Sequence, residues 1–156
     1  RAVEGAVDRV GEVIDIIKDN GLVAGTAGHE LRTISTVEKA GIACDFYVKT
    51  LHHDNYWSKR RPDQRREVID NYREDNYWCT DASETIAFMA KVKRPWIAYK
   101  VLAAGAIPPR DGFRYAFENG ADFALVGMFD FQVAENVAVT RDILESKVKR
   151  RRPWVA

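Results

Sequence analysis

The chain has 156 residues, of which 46% are hydrophobic and 30% charged, enough for one sizeable core in a single domain. Its 24 basic and 23 acidic residues leave a formal charge of +1, which gives no reason to expect a nucleic-acid or membrane partner. No apolar run approaches the roughly 20 residues of a membrane-spanning helix. The two cysteines, Cys44 and Cys79, lie far apart, so we expect free thiols and a cytoplasmic location.

Hydrophobic periodicity predicts an alternation of helices and strands along the chain. Apolar residues from Val3 to Ile17 recur at helical spacing, and Asn20-Gly21 is a typical helix end. The following predicted elements, in chain order, are a strand at 21–28, a helix at 30–40, a strand at 43–51, a helix at 82–92, a strand at 95–104, a helix at 112–119, a strand at 122–128 and a helix at 133–148.

The predicted strands are almost continuously apolar, which is typical of a parallel sheet covered by helices. No GxGxxG follows any of them, and this disfavours a dinucleotide-binding sheet. We therefore predict the α/β class and a parallel (β/α)8 barrel, of which residues 1–156 supply about four βα units as its C-terminal half. A half barrel has two open edges, so we expect as partner either a missing N-terminal half or a second copy.

Two segments lie outside this alternation. Residues 52–81 form an unusually long connection after the second strand, and we interpret it as a lid-like insertion at the barrel rim. Within it, Asp54–Trp57 (DNYW) recurs as Asp75–Trp78. Residues 147–156 form a basic tail, which we expect to be a solvated helix end whose cations oppose the helix dipole.

Small residues end the last two predicted strands, in Ala104–Ile107 and in Val126–Met128. Together with Gly120–Asp122 they resemble the last two units of phosphate-binding (β/α)8 barrels. In such barrels small residues let backbone N–H groups approach a phosphate at a helix N-terminus. The resemblance implies that a phosphate is bound by Gly105, Ala106, Gly127 and Met128.

Lysines interrupt two of the apolar strands, Lys49 in the second and Lys100 in the third. Two buried lysines would depress each other's pKa, as a Schiff-base nucleophile requires. The pattern Asp45-Phe46…Lys49-Thr50, followed by Lys100…Gly105, resembles the deoxyribose-phosphate aldolases, whose sixth and seventh strands carry such lysines. This resemblance implies that Lys49 and Lys100 are catalytic.

A likeness over nearly the whole chain supports a different pair. The segments VAGTAGH, AYKVLAAGAI and GADFALVGMFDF resemble a set of bacterial barrel proteins to which no activity is assigned. In these proteins a lysine matching Lys100 and a histidine matching His29 recur, whereas a lysine matching Lys49 does not. The resemblance thus favours Lys100 and His29 as the catalytic residues.

The three histidines follow predicted strand ends, where barrel enzymes place their functional groups. His29 follows the first strand, and His52 and His53 follow the second. Because adjacent strand residues point to opposite faces, at most one of His52 and His53 should face a site. With Asp54 they provide ligands for a divalent metal as an alternative hypothesis.

The leading functional prediction is an enzyme of lyase or isomerase type acting on a small polar or phosphorylated metabolite, with no cofactor required. Lys100 would activate the electrophile or form a Schiff base, and His29 would be a general acid or base. One alternative is a metal-dependent hydrolase or isomerase using His29, His52 or His53, and Asp54. Another is a non-catalytic ligand-binding or scaffolding barrel, whose mouth would be filled by Tyr47, Trp57 or Trp78.

Overall fold

The computed structural model describes residues 7–59 and 79–155. In chain order its elements are α1 (Val7–Asp19), β1 (Gly25–Gly28), α2 (Leu31–Lys39), β2 (Phe46–Thr50), α3 (Ala82–Met89), β3 (Trp96–Tyr99), α4 (Pro109–Glu118), β4 (Phe123–Leu125) and α5 (Val133–Glu145). The predicted alternation is confirmed over these ranges. Most of the predicted lid at 52–81, including Asp75–Trp78, lies outside the described residues, as does the beginning of the first predicted helix.

The strands are shorter than predicted, and β3 shows why. The apolar run 95–104 was expected to be one strand, but β3 ends at Tyr99 because Lys100 adopts a positive φ of 61°. The chain then turns at Val101 and Leu102 and forms a 3-10 turn at Ala103–Gly105, so Val101 is buried in a turn instead of in a strand. Lys100 therefore follows the strand end and is exposed, whereas the prediction placed it within a buried strand.

The four strands form one parallel sheet in the order β1-β2-β3-β4, so each strand pairs with its successor. This confirms the α/β class with a parallel sheet. Because all strands run the same way, their carboxyl ends lie at one edge of the sheet, which we call the rim. The register places Thr50 of β2 beside Tyr99 of β3, and Gly28 of β1 beside Lys49 of β2.

The two faces of the sheet have different environments. On one face the following side chains are 0–1% exposed: Tyr47, Lys49, Trp96 and Ala98. Helices cover this face: the Tyr47 hydroxyl donates to Glu38 of α2 at 2.6 Å, and a Cβ on Gly28 would lie 2.8 Å from Cβ of Thr33 in α2. We call it the helix-covered face.

The other face, the open face, is apolar but poorly covered by the described residues. Register partners in parallel strands point their side chains the same way, so Ile97 and Phe123 share this face with Tyr99 and Leu125. In β4, Phe123 is 49% exposed and Leu125 is 57% exposed. An apolar face exposed to this extent is unusual for a finished core.

The C-terminal segment folds back onto the strand ends opposite the rim, in contrast to the solvated tail that we expected. Arg152 is 3% exposed and donates to the Asp122 carboxylate at 2.7 Å and to the Arg94 carbonyl at 2.6 Å. Arg150 donates to the carbonyls of Phe117 and Ala121 at 3.0 and 2.8 Å, next to the end of α4. These arginines are thus part of the folded core instead of a free basic tail.

In the part of the chain that the structure describes, no helix has the length and apolar character needed to cross a membrane.

Candidate functional site

Three polar side chains meet where β1, β2 and β3 end at the rim. His29 directly follows β1, Thr50 is the last residue of β2, and Tyr99 is the last residue of β3. The His29 Nδ1 atom lies 2.9 Å from the Thr50 hydroxyl and 2.8 Å from the Tyr99 hydroxyl. The His29 and Tyr99 rings also stack, with their centroids 5.0 Å apart. The imidazole is therefore held in position by two hydroxyls and one aromatic ring.

The surroundings of His29 favour its neutral form. Partial burial lowers its pKa, and the positive charges of Lys100 and Lys49 lower it further. Burial also raises the pKa of Tyr99, so the phenol keeps its proton, and its oxygen can accept a hydrogen bond from the Nδ1–H of the neutral imidazole, which leaves Nε2 as the basic atom. A neutral histidine held by a phenol at a strand end is chemically suited to accept a proton near neutral pH.

A cleft of about 650 Å³ opens beside this cluster at the ends of β3 and β4. Four of the predicted site residues line it together with Tyr99: Lys100, Gly105, Gly127 and Met128. The predicted binding residue Ala106 is not among the lining residues. Positive φ angles at Lys100 (61°), Ala103 (44°) and Ala104 (53°) show that this wall is built from strained backbone, which is frequent at functional sites.

The contacts before α5 do not test the predicted phosphate site. The backbone N–H groups before α5 already have partners, since Phe129 donates to the side chain of Gln132 at 3.0 Å and Phe131 donates to Asp130 at 2.9 Å. The Asp130 carboxylate also places negative charge at this helix start. Phosphate binding by Gly127 and Met128 therefore stays a prediction, and Lys100 is the cation of this wall.

Lys49 and Lys100 do not form the pair of buried interior lysines that the aldolase resemblance implies. Lys49 is 1% exposed on the helix-covered face, and its ammonium donates to the Thr50 carbonyl at 2.9 Å. Burial lowers its pKa. Lys100 is exposed at the rim. Lys49 thus acts on His29 through its charge, while its Nζ atom points away from the open face.

The histidines after β2 do not join His29 in a metal site. His52 is 3% exposed, its Nδ1 donates to the His53 carbonyl at 3.0 Å, and its Nε2 has no hydrogen-bond partner among the described residues. His53 accepts from the Asn55 N–H at 3.2 Å and packs edge-on against the Tyr115 ring. Among residues 7–59 and 79–155, no three His, Cys, Asp or Glu side chains lie close enough together to hold a metal ion, so His29, His52 and Asp54 form no such group.

Among the described residues, the aromatic side chains that the scaffolding hypothesis names do not fill a barrel mouth. Tyr47 is fully buried on the helix-covered face, where its hydroxyl donates to Glu38. Trp57 is 87% exposed, and Trp78 lies outside the described residues. The described part of the rim thus has a cleft and a polar cluster where the scaffolding hypothesis expects aromatic packing.

Sequence reasoning missed Thr50 and Tyr99. Both lie at predicted strand positions whose polar atoms had no assigned role, and each immediately neighbours a residue that attracted attention, Lys49 or Lys100. The strand period was the available signal, because residues two apart share a face. Applied to β2, this period places Thr50 on the face opposite to that of Lys49. The register then places Tyr99 on the same face as Thr50.

Comparisons of this chain with models of protein families, with curated proteins and with solved structures found no match. The functional argument therefore depends on the geometry of His29, Thr50, Tyr99 and Lys100.

Proposed function

We propose that this chain is the C-terminal half of a (β/α)8 barrel whose rim carries proton-transfer chemistry of lyase or isomerase type. The sequential strand order supports a barrel, because doubly wound sheets reverse their order at a switch point. An apolar face opposite the helix-covered face, with Phe123 and Leu125 exposed, is what half of a barrel interior would present.

The single observation that carries the proposed chemistry is the contact of His29 with Thr50 and Tyr99. Three neighbouring strand ends hold the imidazole, and its pKa is lowered by burial and by nearby lysines. In the proposed reaction, His29 removes a proton from a carbon next to a substrate carbonyl. Returning that proton to the former carbonyl carbon, while the hydroxyl proton moves from one oxygen to the other, gives isomerisation; expulsion of a leaving group from the β-carbon of the enolate, which restores the carbonyl group, gives a lyase reaction.

Lys100 supplies the positive charge for this step. Its exposed position, immediately after Tyr99 and on the wall of the cleft, suits an ammonium that stabilises the developing enolate oxygen or holds an anionic group of the substrate. Electrostatic activation suits this position better than a Schiff base, which requires a desolvated amine. The substrate class is a small polar or phosphorylated carbonyl compound, and the steps require no cofactor.

Solvent-hydrogen exchange tests this function without a known product. The protein is incubated in D2O with small hydroxyaldehydes and hydroxyketones, each with and without a phosphate group, and deuterium incorporation at the carbon next to the carbonyl is followed by proton NMR. We expect exchange by the wild type and a loss of about 10²-fold or more in His29→Gln. His53→Gln, a histidine outside the cluster, is the matched control and should keep its activity.

A second pair of variants separates the two roles of Lys100. Lys100→Arg keeps the charge but cannot form an imine, whereas Lys100→Met loses both properties. Activity retained in the first variant and lost in the second supports electrostatic activation. Equal loss in both, together with borohydride trapping of the wild type, would instead establish a Schiff base. No exchange with any of the compounds, or equal exchange in His29→Gln, would refute the proposed proton transfer.

A further inference from the structure

An apolar groove lies along the edge of the described sheet at β4. A groove of about 930 Å³ separates this strand from α5. Large apolar side chains on its walls are 42–57% exposed, namely Phe123, Leu125, Val137, Leu144 and Trp154. A groove of this kind beside an edge strand has the shape and chemistry to receive another strand.

The opposite edge of the sheet, at β1, also borders exposed apolar side chains. In α1, which precedes β1, Val13 is 54% exposed and Ile16 is 61% exposed, although Ile14 of the same helix is buried. Leu22 and Val23, in the connection to β1, are 63% and 76% exposed. Both sheet edges among the described residues therefore border apolar surface that their own chain leaves open.

Exposed charges of opposite sign lie beside these two edges, in addition to Arg141 and Glu145 on the groove wall. At the end of α1, Asp15 and Asp19 are exposed, and immediately after α5, Lys147 and Lys149 are exposed. Both helices end on the side opposite the rim, since α1 leads into the start of β1, and the segment after α5 contacts Asp122 at the start of β4. An α1 helix placed beside an α5 helix would thus bring acidic and basic ends together.

We propose that the occupant of both edges is a second copy of this chain. In a two-fold dimer, β1 of each copy pairs in parallel with β4 of the other, because each strand offers a free edge of the same direction. Two sheets of four strands then give the eight strands of a closed barrel. This inference rests on the half barrel of the proposed function and names the partner that completes it.

Closure by a second copy also has a consequence for the candidate site. Each β4 rim, where Gly127 and Met128 line the cleft beside Lys100, would adjoin the partner's β1, which carries His29 at its end. Each cleft therefore gains a histidine across the seam, and the two polar clusters occupy one rim. The exposed Phe123 and Leu125 become interior residues of the barrel.

The test combines light scattering after gel filtration with charge-reversed variants of the whole chain. At micromolar concentration and low salt, we expect the wild type to be a dimer. Asp15→Lys with Asp19→Lys places like charges at both seams, and so does Lys147→Glu with Lys149→Glu. Each double variant should raise the dimer dissociation constant by about tenfold or more.

Mixing the two variants gives the decisive result. In the mixed dimer both seams again join opposite charges, so we expect a one-to-one heterodimer with wild-type affinity. Lys91→Glu with Lys93→Glu, exposed lysines after α3 that lie away from both seams, is the matched control and should stay dimeric. Val137→Glu in the apolar groove should give a monomer.

A wild-type monomer would overturn the proposal, and so would a dimer unaffected by the reversed charges or not rescued by mixing. These outcomes are separate from the failure of the proposed chemistry, because deuterium exchange is measured independently. A monomer whose exchange depends on His29 would refute the second copy alone. A rescued dimer without exchange would refute the proton transfer alone.

Discussion

The carboxylate of Asp122 is predicted to be the most sensitive single group for the stability of the sheet. Its side chain is fully buried at the start of β4, where it accepts hydrogen bonds from the Trp96 N–H at 2.9 Å and the Val155 N–H at 3.0 Å. It also pairs with the guanidinium groups of Arg152 at 2.7 Å and Arg150 at 3.4 Å. One acidic group thus balances two arginines that the fold removes from water.

Replacing this carboxylate with an amide of the same size removes the charge and turns one oxygen, which accepts two of these hydrogen bonds, into an NH2 donor. In Asp122→Asn, the Arg152 guanidinium stays buried without its counter-charge, a change that typically costs about 3–5 kcal/mol. Because whole domains are stable by only about 5–15 kcal/mol, this is a large fraction of the total. In the exposed pair of Arg110 and Asp142, where the side chains are 53% and 61% exposed, Asp142→Asn should cost about 0–1 kcal/mol.

Urea unfolding followed by circular dichroism measures both free energies on the same scale. A double variant, Asp122→Asn with Arg152→Met, removes both buried partners. Its loss of stability should be about 1–3 kcal/mol smaller than the sum of the losses in Asp122→Asn alone and Arg152→Met alone. If Asp122→Asn destabilised the protein no more than Asp142→Asn does, or if the losses were additive, the buried ion pair would not be the source of stability.

Three further predictions concern Lys49, His29 and the glycines of the rim. Because burial lowers the pKa of Lys49, the unfolded chain holds more protons than the folded chain as the pH approaches 10.5. The free energy of unfolding should therefore rise with pH through that range, and Lys49→Met should weaken the rise and stabilise the protein at neutral pH. An NMR titration should place the pKa of His29 below 6.5, and Lys100→Met should raise it. Gly28→Ala should cost about 1–3 kcal/mol because its Cβ would approach α2 to 2.8 Å, whereas Gly127→Ala, with no atom within 4 Å, should be nearly neutral.

Each of these predictions has a clear contrary result. An unfolding free energy with the same pH dependence in wild type and Lys49→Met would show that this ammonium is solvated in the folded chain. A His29 pKa that is unchanged in Lys100→Met would separate the two groups electrostatically. Equal stabilities of the two glycine variants, measured by urea unfolding, would contradict the close packing of β1 against α2.

The sequence by itself determined the order of helices and strands in the described chain. Each element has a local signal, such as the helical spacing of Val10, Ile14 and Ile17 or the apolar run of β2. It also located four of the residues that line the candidate cleft. Lys100 was found because it interrupts a predicted apolar strand, and the resemblance to phosphate-binding barrels implied Gly105, Gly127 and Met128.

Only the tertiary structure decided where β3 ends and which face each lysine takes. The run 95–104 is apolar except for Lys100, but the positive φ of Lys100 and the burial of Val101 in a turn depend on packing against α4, where a Cβ on Gly112 would lie 2.7 Å from the Val101 carbonyl. The strand period assigns Lys49 to the face of Tyr47, yet which face the helices cover is settled by contacts such as that of Tyr47 with Glu38.

Contacts between residues far apart in the chain could not be predicted from the sequence either. His29 and Tyr99 are 70 positions apart, and Arg152 reaches the Arg94 carbonyl across 58 positions. The basic tail was expected to be solvated because a run with five Lys and Arg among residues 147–153 carries no local sign of burial. Whether a charged side chain is buried depends on a partner placed by the rest of the fold, and here that partner is Asp122.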